Sequence, residues 1–301
     1  MKKIGFLFGD EISFSKSLIS FINSTNNINV YAEEIKIGIF NTEDTLDFDV
    51  IFDRFSHKVP FYITILNVIN DKGIKIIHAS DNTLFEDKFA CFSKLKKARI
   101  NIPKTSIIPN KIPPFGIENK MLRNLEYPLD WNKMFQYIGF PACVITNRQN
   151  SSFYNFIKVY NNQEFYSVYD SSEDNVLLLQ QTFDYVHSFR TLVVDEDFFI
   201  VGFDGFQPIK NRYFLIDDSF INAVLKKKIS TIIKTIKRKY NIDIFYIDFG
   251  LTDKIYVLDI NTIQNIDNCI LPDTCYQWLI KTTSEFLMRQ VGISAKKLAK
   301  K

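Results

Sequence analysis

Histidine, cysteine and glycine are scarce in this chain, and each scarcity closes off a class of site. Three histidines (His57, His78, His187) and four cysteines (Cys91, Cys143, Cys269, Cys275) are scattered through 301 residues without a C-x-x-C pair. The spacing of a zinc site is therefore missing, and the thiols are expected to be reduced and structural, as in a cytoplasm. No apolar run approaches the ~20 residues of a membrane span. The N-terminal "IGFLFG" is cut off at once by Asp10 and Glu11, so it is expected to be a first strand rather than a signal segment. An excess of one charge is lacking too. Lys and Arg number 37 against 34 Asp and Glu, a net +3, and neither a nucleic-acid nor a membrane partner is expected from it.

What is present is a 46% hydrophobic composition able to bury a sizeable core. "KKIGFLFG", "FDVIFDRF" and "GIKIIHA" read as buried strands. The segments from 11 to 25 and "VPFYITILNVIND", with Pro60 in its first turn, carry helical spacing. Strands alternating with helices predict an open parallel sheet in the first 80 residues. A helix is expected over 84–100. "NIPKTSIIPNKIPPF" follows, where four prolines within thirteen residues argue for an extended linker into a new unit. Beyond it, "DWNKMFQYIG" predicts a helix capped by Asp130 and stopped by Gly139. "FPACVIT" and "NVLLLQQTF" are expected strands, and the segment around "DED" and that from 243 to 264 are expected hairpins. "DDSFINAVLKKKISTIIKTIKRKY" predicts a long helix capped by Asp217 or Asp218. Its basic residues gather near the C-terminal end and are read as a solvated face.

The second hairpin concentrates polar groups on apolar strands. Asp259 and Asn261 in "YVLDIN" stand at i and i+2, hence on one face, and antiparallel pairing would bring Asp248 of "YIDF" to them. Burying such groups without partners costs roughly 2–7 kcal/mol each. Two carboxylates and an amide oxygen are hard ligands suited to Mg²⁺.

"YIDF…YVLDIN" resembles the metal-binding signature of ATP-grasp enzymes, in which an acidic residue precedes a Glu-x-Asn pair by about a dozen positions. "DKFACFSKLKKARINIPKT" resembles the helix and turn that open the module, and "GFPACVI" a nucleotide-binding strand. "LLLQQTF" is similar to the adenine hinge, and "SFRTLVV" to a strand that carries an arginine. The matches run in family order over residues 80 to 265 and are closest in feel to glutathione-synthetase-like and RimK-like ligases. The resemblance implies an α/β chain, α+β in its C-terminal part. It would have a Rossmann-like pre-ATP-grasp domain at 1–80 and an ATP-grasp module at 81–301, with subdomains at 111–185 and 186–301. It implies ATP and Mg²⁺ as cofactors. Lys88 would meet the nucleotide phosphates, Gln180, Gln181 and Phe183 the adenine, and Arg190 the transferred phosphate, with Asp248, Asp259 and Asn261 as metal ligands. The implied reaction joins a small-molecule or peptide carboxylate to an amine through an acyl phosphate. It needs no nucleophilic side chain.

Two departures keep a second reading open. No lysine stands at or next to Ile145, where the family's second phosphate lysine belongs, and residues 147–152, "NRQNSS", hold no glycine where a glycine-rich loop would cover the phosphates. Arg148 could supply the missing charge, although a guanidinium fork does not simply replace an ammonium. Ser188 replaces the usual acidic residue before the arginine, and Asp259 the usual Glu. The alternative is a catalytically degenerate relative that binds a nucleotide or a partner without ligase activity.

Overall fold

The first strand is apolar on both faces, the pattern of a strand covered from both sides. In the computed structural model, which describes residues 1–25, 29–77, 87–147, 156–217, 220–263 and 271–292, β1 (Lys2–Leu7) lies at the middle of a parallel sheet. α1 (Ser13–Ser24) leads to β2 (Val30–Glu34), β3 (Val50–Asp53) follows, and α2 (Pro60–Asp71) leads to β4 (Lys75–Ile77). The order is β2-β1-β3-β4, all parallel, with Ile4 opposite Ala32 on one side and Val50 on the other. The open parallel sheet is as expected, Pro60 occupies the first turn of α2, and β2, short and half polar, is an addition to the sequence reading.

α3 (Lys88–Lys97) is capped by Asp87, whose Oδ1 accepts from the Ala90 N–H at 2.9 Å. β5 (Thr105–Ile108) then corrects one expectation. The Pro-rich stretch is extended, yet it is an edge strand rather than a linker, because Thr105–Ile108 pair antiparallel with β8 (Leu177–Gln181). Proline is tolerated at a sheet edge, and here Pro103 and Pro109 flank the strand. α4 (Trp131–Ile138) is capped by Asp130 and ends at Gly139, whose φ of 76° suits glycine. β6 (Ala142–Thr146), β7 (Ile157–Val159) and α5 (Asn162–Asp170) complete a sheet of order β5-β8-β6-β7.

The third sheet, β11-β10-β9-β12-β13, is antiparallel throughout and is built from the two expected hairpins, β9 (His187–Val194) with β10 (Asp197–Phe203) and β12 (Ile244–Leu251) with β13 (Ile255–Thr262). β11 (Tyr213–Phe214) adds a two-residue edge. α6 (Ala223–Tyr240) starts later than expected. Its cap is Asn222, which accepts from the Leu225 N–H at 2.9 Å, while the Asp217 carbonyl accepts from the Phe220 N–H ahead of the helix. Asp217 is thus not the cap, and Asp218 lies outside the described residues. Alternate residues of the sheet serve two cores. Phe189, Val193, Phe245, Ile247 and Phe249 pack with Phe92 and Leu95 of α3 and Ile229 and Ile233 of α6. Leu192, Val194 and Val201 join Leu279, Phe286 and Leu287 of α7 (Asp273–Gln290), which also packs against Phe14 and Leu18 of α1. α7 therefore bonds the parallel sheet to the antiparallel one through shared apolar burial, the main favourable contribution to such contacts.

Candidate functional site

Period-two alternation places the polar residues of the third sheet together. Asp248 stands opposite Asp259 on one neighbouring strand and opposite Arg190 on the other, while Asn261 stands opposite Tyr246. Directly opposed residues share a face, so all five side chains project from the same side of the sheet. The register shifts between Asp248 and Phe249, a bulge of the kind that re-aims side chains next to sites. Arg190, Asp248, Asp259, Asn261 and Lys88 are each at most 8% exposed.

Each carboxylate carries a cation. Arg190 donates from Nε to Asp248 Oδ1 at 2.6 Å and from Nη2 to Oδ2 at 2.7 Å, a bidentate fork. Its guanidinium carbon lies 3.8 Å from the ring centre of Phe203 and 3.7 Å from that of Tyr246, and its Nη1 donates to the Tyr213 hydroxyl. Burial opposes the charge of Arg190, but the attraction of Asp248 outweighs it and holds the guanidinium well above its ordinary value. Burial also pushes the Asp248 carboxyl upward, against the pull of Arg190. Lys88, the first residue of α3, places Nζ 3.0 Å from Asp259 Oδ2. Two cations and two carboxylates sum to zero.

Asn147, just past β6, fixes the start of α3. Its main-chain carbonyl accepts from Lys88 N–H at 3.1 Å and its side-chain Oδ1 from Phe89 N–H at 2.9 Å. With Asp87 on Ala90, the first N–H groups of the helix are satisfied internally and are not offered to an anion. Val144 and Ile145, at the place of the second phosphate lysine that the resemblance implies, are buried aliphatic residues. Arg148 lies outside the described residues.

Gln180 and Gln181 end β8. The buried Gln180 side chain donates from Nε2 to Thr105 Oγ1 at 3.2 Å, and the Gln181 N–H donates to the Lys104 carbonyl at 2.8 Å. Phe183 stacks on Tyr256 of β13, with ring centres 5.0 Å apart. The segment after β8 is thus tied to the hairpin that carries Asp248 and Asp259. Tyr185 of the same segment packs against Gly250.

The donor set fits a hard divalent ion bound jointly with an anion. Asp248 uses both oxygens and Asp259 its Oδ2 for a cation, yet each keeps further lone pairs, and Asn261 Oδ1, which accepts from Thr262 N–H at 3.1 Å, keeps one as well. Asn261 Nδ2 is buried without a partner among the described residues, an orphan donor that a ligand oxygen would satisfy. Among the described residues no three His, Cys, Asp or Glu side chains converge, so the amide is needed to complete any such set. Sequence reasoning missed Tyr213, Phe203 and Asn147. Tyr246 was legible, two positions from Asp248 on the same face.

Neither protein-family models nor curated protein sequences match the chain. Solved structures do. The RimK domain protein ATP-grasp from Sphaerobacter thermophilus is similar over 94% of this chain and 98% of its own, at 12% identity and a TM-score of 0.65. The Bacillus anthracis D-alanine–D-alanine ligase complexed with ATP is similar over 97% and 99%, at 15% identity and 0.65. The Enterococcus faecalis VanG D-Ala:D-Ser ligase is similar over 97% and 98%, at 16% identity and 0.66. Identities of this order speak to architecture and not to substrate, and over nearly its whole length the chain has the ATP-grasp fold.

Proposed function

We propose that the protein is an ATP-dependent ligase that joins a small-molecule or peptide carboxylate to an amine, with Mg²⁺ held by Asp248, Asp259 and Asn261. The observation that carries this reading is the buried face of the third sheet, where these three donors and two cations stand together in an ATP-grasp fold. When bound, the metal would draw charge from the nucleotide's phosphoryl oxygens. Lys88 would neutralise phosphate oxygens. Arg190, with three of its five N–H groups engaged by Asp248 and Tyr213, keeps two that can meet the transferred phosphate. Gln180, Gln181 and Phe183 would border the adenine at the end of β8. The residues act by placement and charge, so no side-chain nucleophile is required.

The neighbouring ligases support this reading, and the proposed setting is the cytoplasm, as the few, scattered cysteines suggest. We place the pre-ATP-grasp domain at 1–80 and the ATP-grasp module at 81–301. A non-catalytic nucleotide- or partner-binding protein is the second reading, favoured by the internally capped start of α3 and by the aliphatic residues at 144 and 145. Calorimetry with ATP and Mg²⁺, followed by ADP release assays over a panel of amino acids and peptides, separates the two. Binding with substrate-stimulated ADP release is expected. Binding without turnover on any substrate leaves the second reading, and a folded protein that does not bind at millimolar nucleotide refutes the first.

A further inference from the structure

The Lys88 ammonium stands on the carboxylate that a metal ion would need. Nζ is 3.0 Å from Asp259 Oδ2, both side chains are almost wholly buried, and Asn147 pins the start of the helix that carries the lysine. On the facing strand, Arg190 occupies both oxygens of Asp248. A divalent cation approaching this group meets no net negative charge, and it must share the buried Asp259 carboxylate with an ammonium at hydrogen-bond distance from one of its oxygens. Like charges so close repel strongly in a buried setting, and a doubly charged ion more than a singly charged one. A polyphosphate changes that balance, because its oxygens can take the ammonium and leave Asp259 to the metal.

We infer that Lys88 is an electrostatic latch on the metal site, excluding a divalent cation from Asp259 until a polyphosphate draws the ammonium away. The inference rests on the nucleotide-site reading and adds an order to it: the metal enters with or after the nucleotide, never before. A lysine that served only as a phosphate ligand would have no such effect on metal bound alone.

The test uses Mn²⁺ alone, followed by its electron paramagnetic resonance signal and by thermal melting of the full chain. Wild type is expected to show no site occupied below millimolar Mn²⁺. Lys88→Gln is expected to bind Mn²⁺ at least tenfold more tightly than wild type, and Lys88→Gln with Asp259→Asn to lose that gain. Lys88→Met, which retains most of the buried stem's volume, takes its place should the glutamine variant not fold. Sub-millimolar Mn²⁺ binding by wild type overturns the inference, as does a folded Lys88 variant with unchanged metal affinity. Neither result depends on ATP, so failure of the latch is distinguishable from failure of the ligase reading, which nucleotide calorimetry on wild type decides.

Discussion

Arg190 and Asp248 face each other across β9 and β12 and are joined by two parallel hydrogen bonds of 2.6 and 2.7 Å in a buried setting. Removing one member of such a pair strands the other charge, which costs about 3–5 kcal/mol. Arg190→Met is therefore expected to destabilise the fold by that amount, as read by urea denaturation. Arg190→Lys should recover only part of it, because an ammonium reproduces neither the fork nor the stacking between Phe203 and Tyr246. Equal stability of wild type and Arg190→Met would show that the pair contributes nothing net.

Gly250 is a spacer rather than a turn residue. A Cβ there would lie 2.4 Å from Tyr185 Cε1, whereas at Gly38 it would meet nothing within 4 Å. Gly250→Ala is expected to cost about 1–3 kcal/mol through overpacking. Because Tyr185 follows the proposed adenine segment, the change should also weaken nucleotide binding. Gly38→Ala serves as the control, with melting temperature and nucleotide affinity near wild type.

Burial pushes the thiols of Cys91, Cys143 and Cys275 up to about 12. Thiols are the unreactive form, so these three should resist iodoacetamide at pH 8 in the native protein and react on denaturation. Peptide mapping by mass spectrometry reads each site, and rapid native labelling of Cys91 would contradict its placement in the core.

Glu11 gives a pH dependence with a definite sign. Burial raises its carboxyl, but the charge of Arg54, the Ser13 hydroxyl and the Phe14 N–H outweigh that and hold it below the ordinary glutamate range. A folded-state pKa depressed in this way contributes stability above the unfolded value of about 4.3, and that stability is lost as pH falls through the folded value. Glu11→Gln should thus be less stable than wild type at pH 7, with the difference shrinking on acidification below about pH 4. Melting curves at both pH values decide the matter.

Much of this was legible locally. Asp130 as a cap, Gly139 as a stop and Pro60 in a first turn are short-range effects, and the sequence carries them within four residues. The same holds for Asp259 and Asn261 sharing a face, since strand alternation needs no tertiary information. The cap of α6 is not fixed by local sequence, because Asp217, Asp218 and Asn222 are all competent caps, and the helix starts after the last of them. Proline density hid β5, whose pairing partner lies some 70 residues downstream.

By itself, the sequence determined which residue types can meet on one face of the second hairpin, because strand alternation needs no tertiary information. Only the tertiary structure decided who neutralises whom. Lys88 comes from a helix 171 residues away from Asp259, and Tyr213 from a two-residue edge strand with no periodic signature. Whether a buried carboxylate meets an ammonium, a guanidinium or a metal is a matter of a few ångströms between separate elements. Coulomb energy and desolvation change steeply over that distance, and spacing along the chain does not encode it.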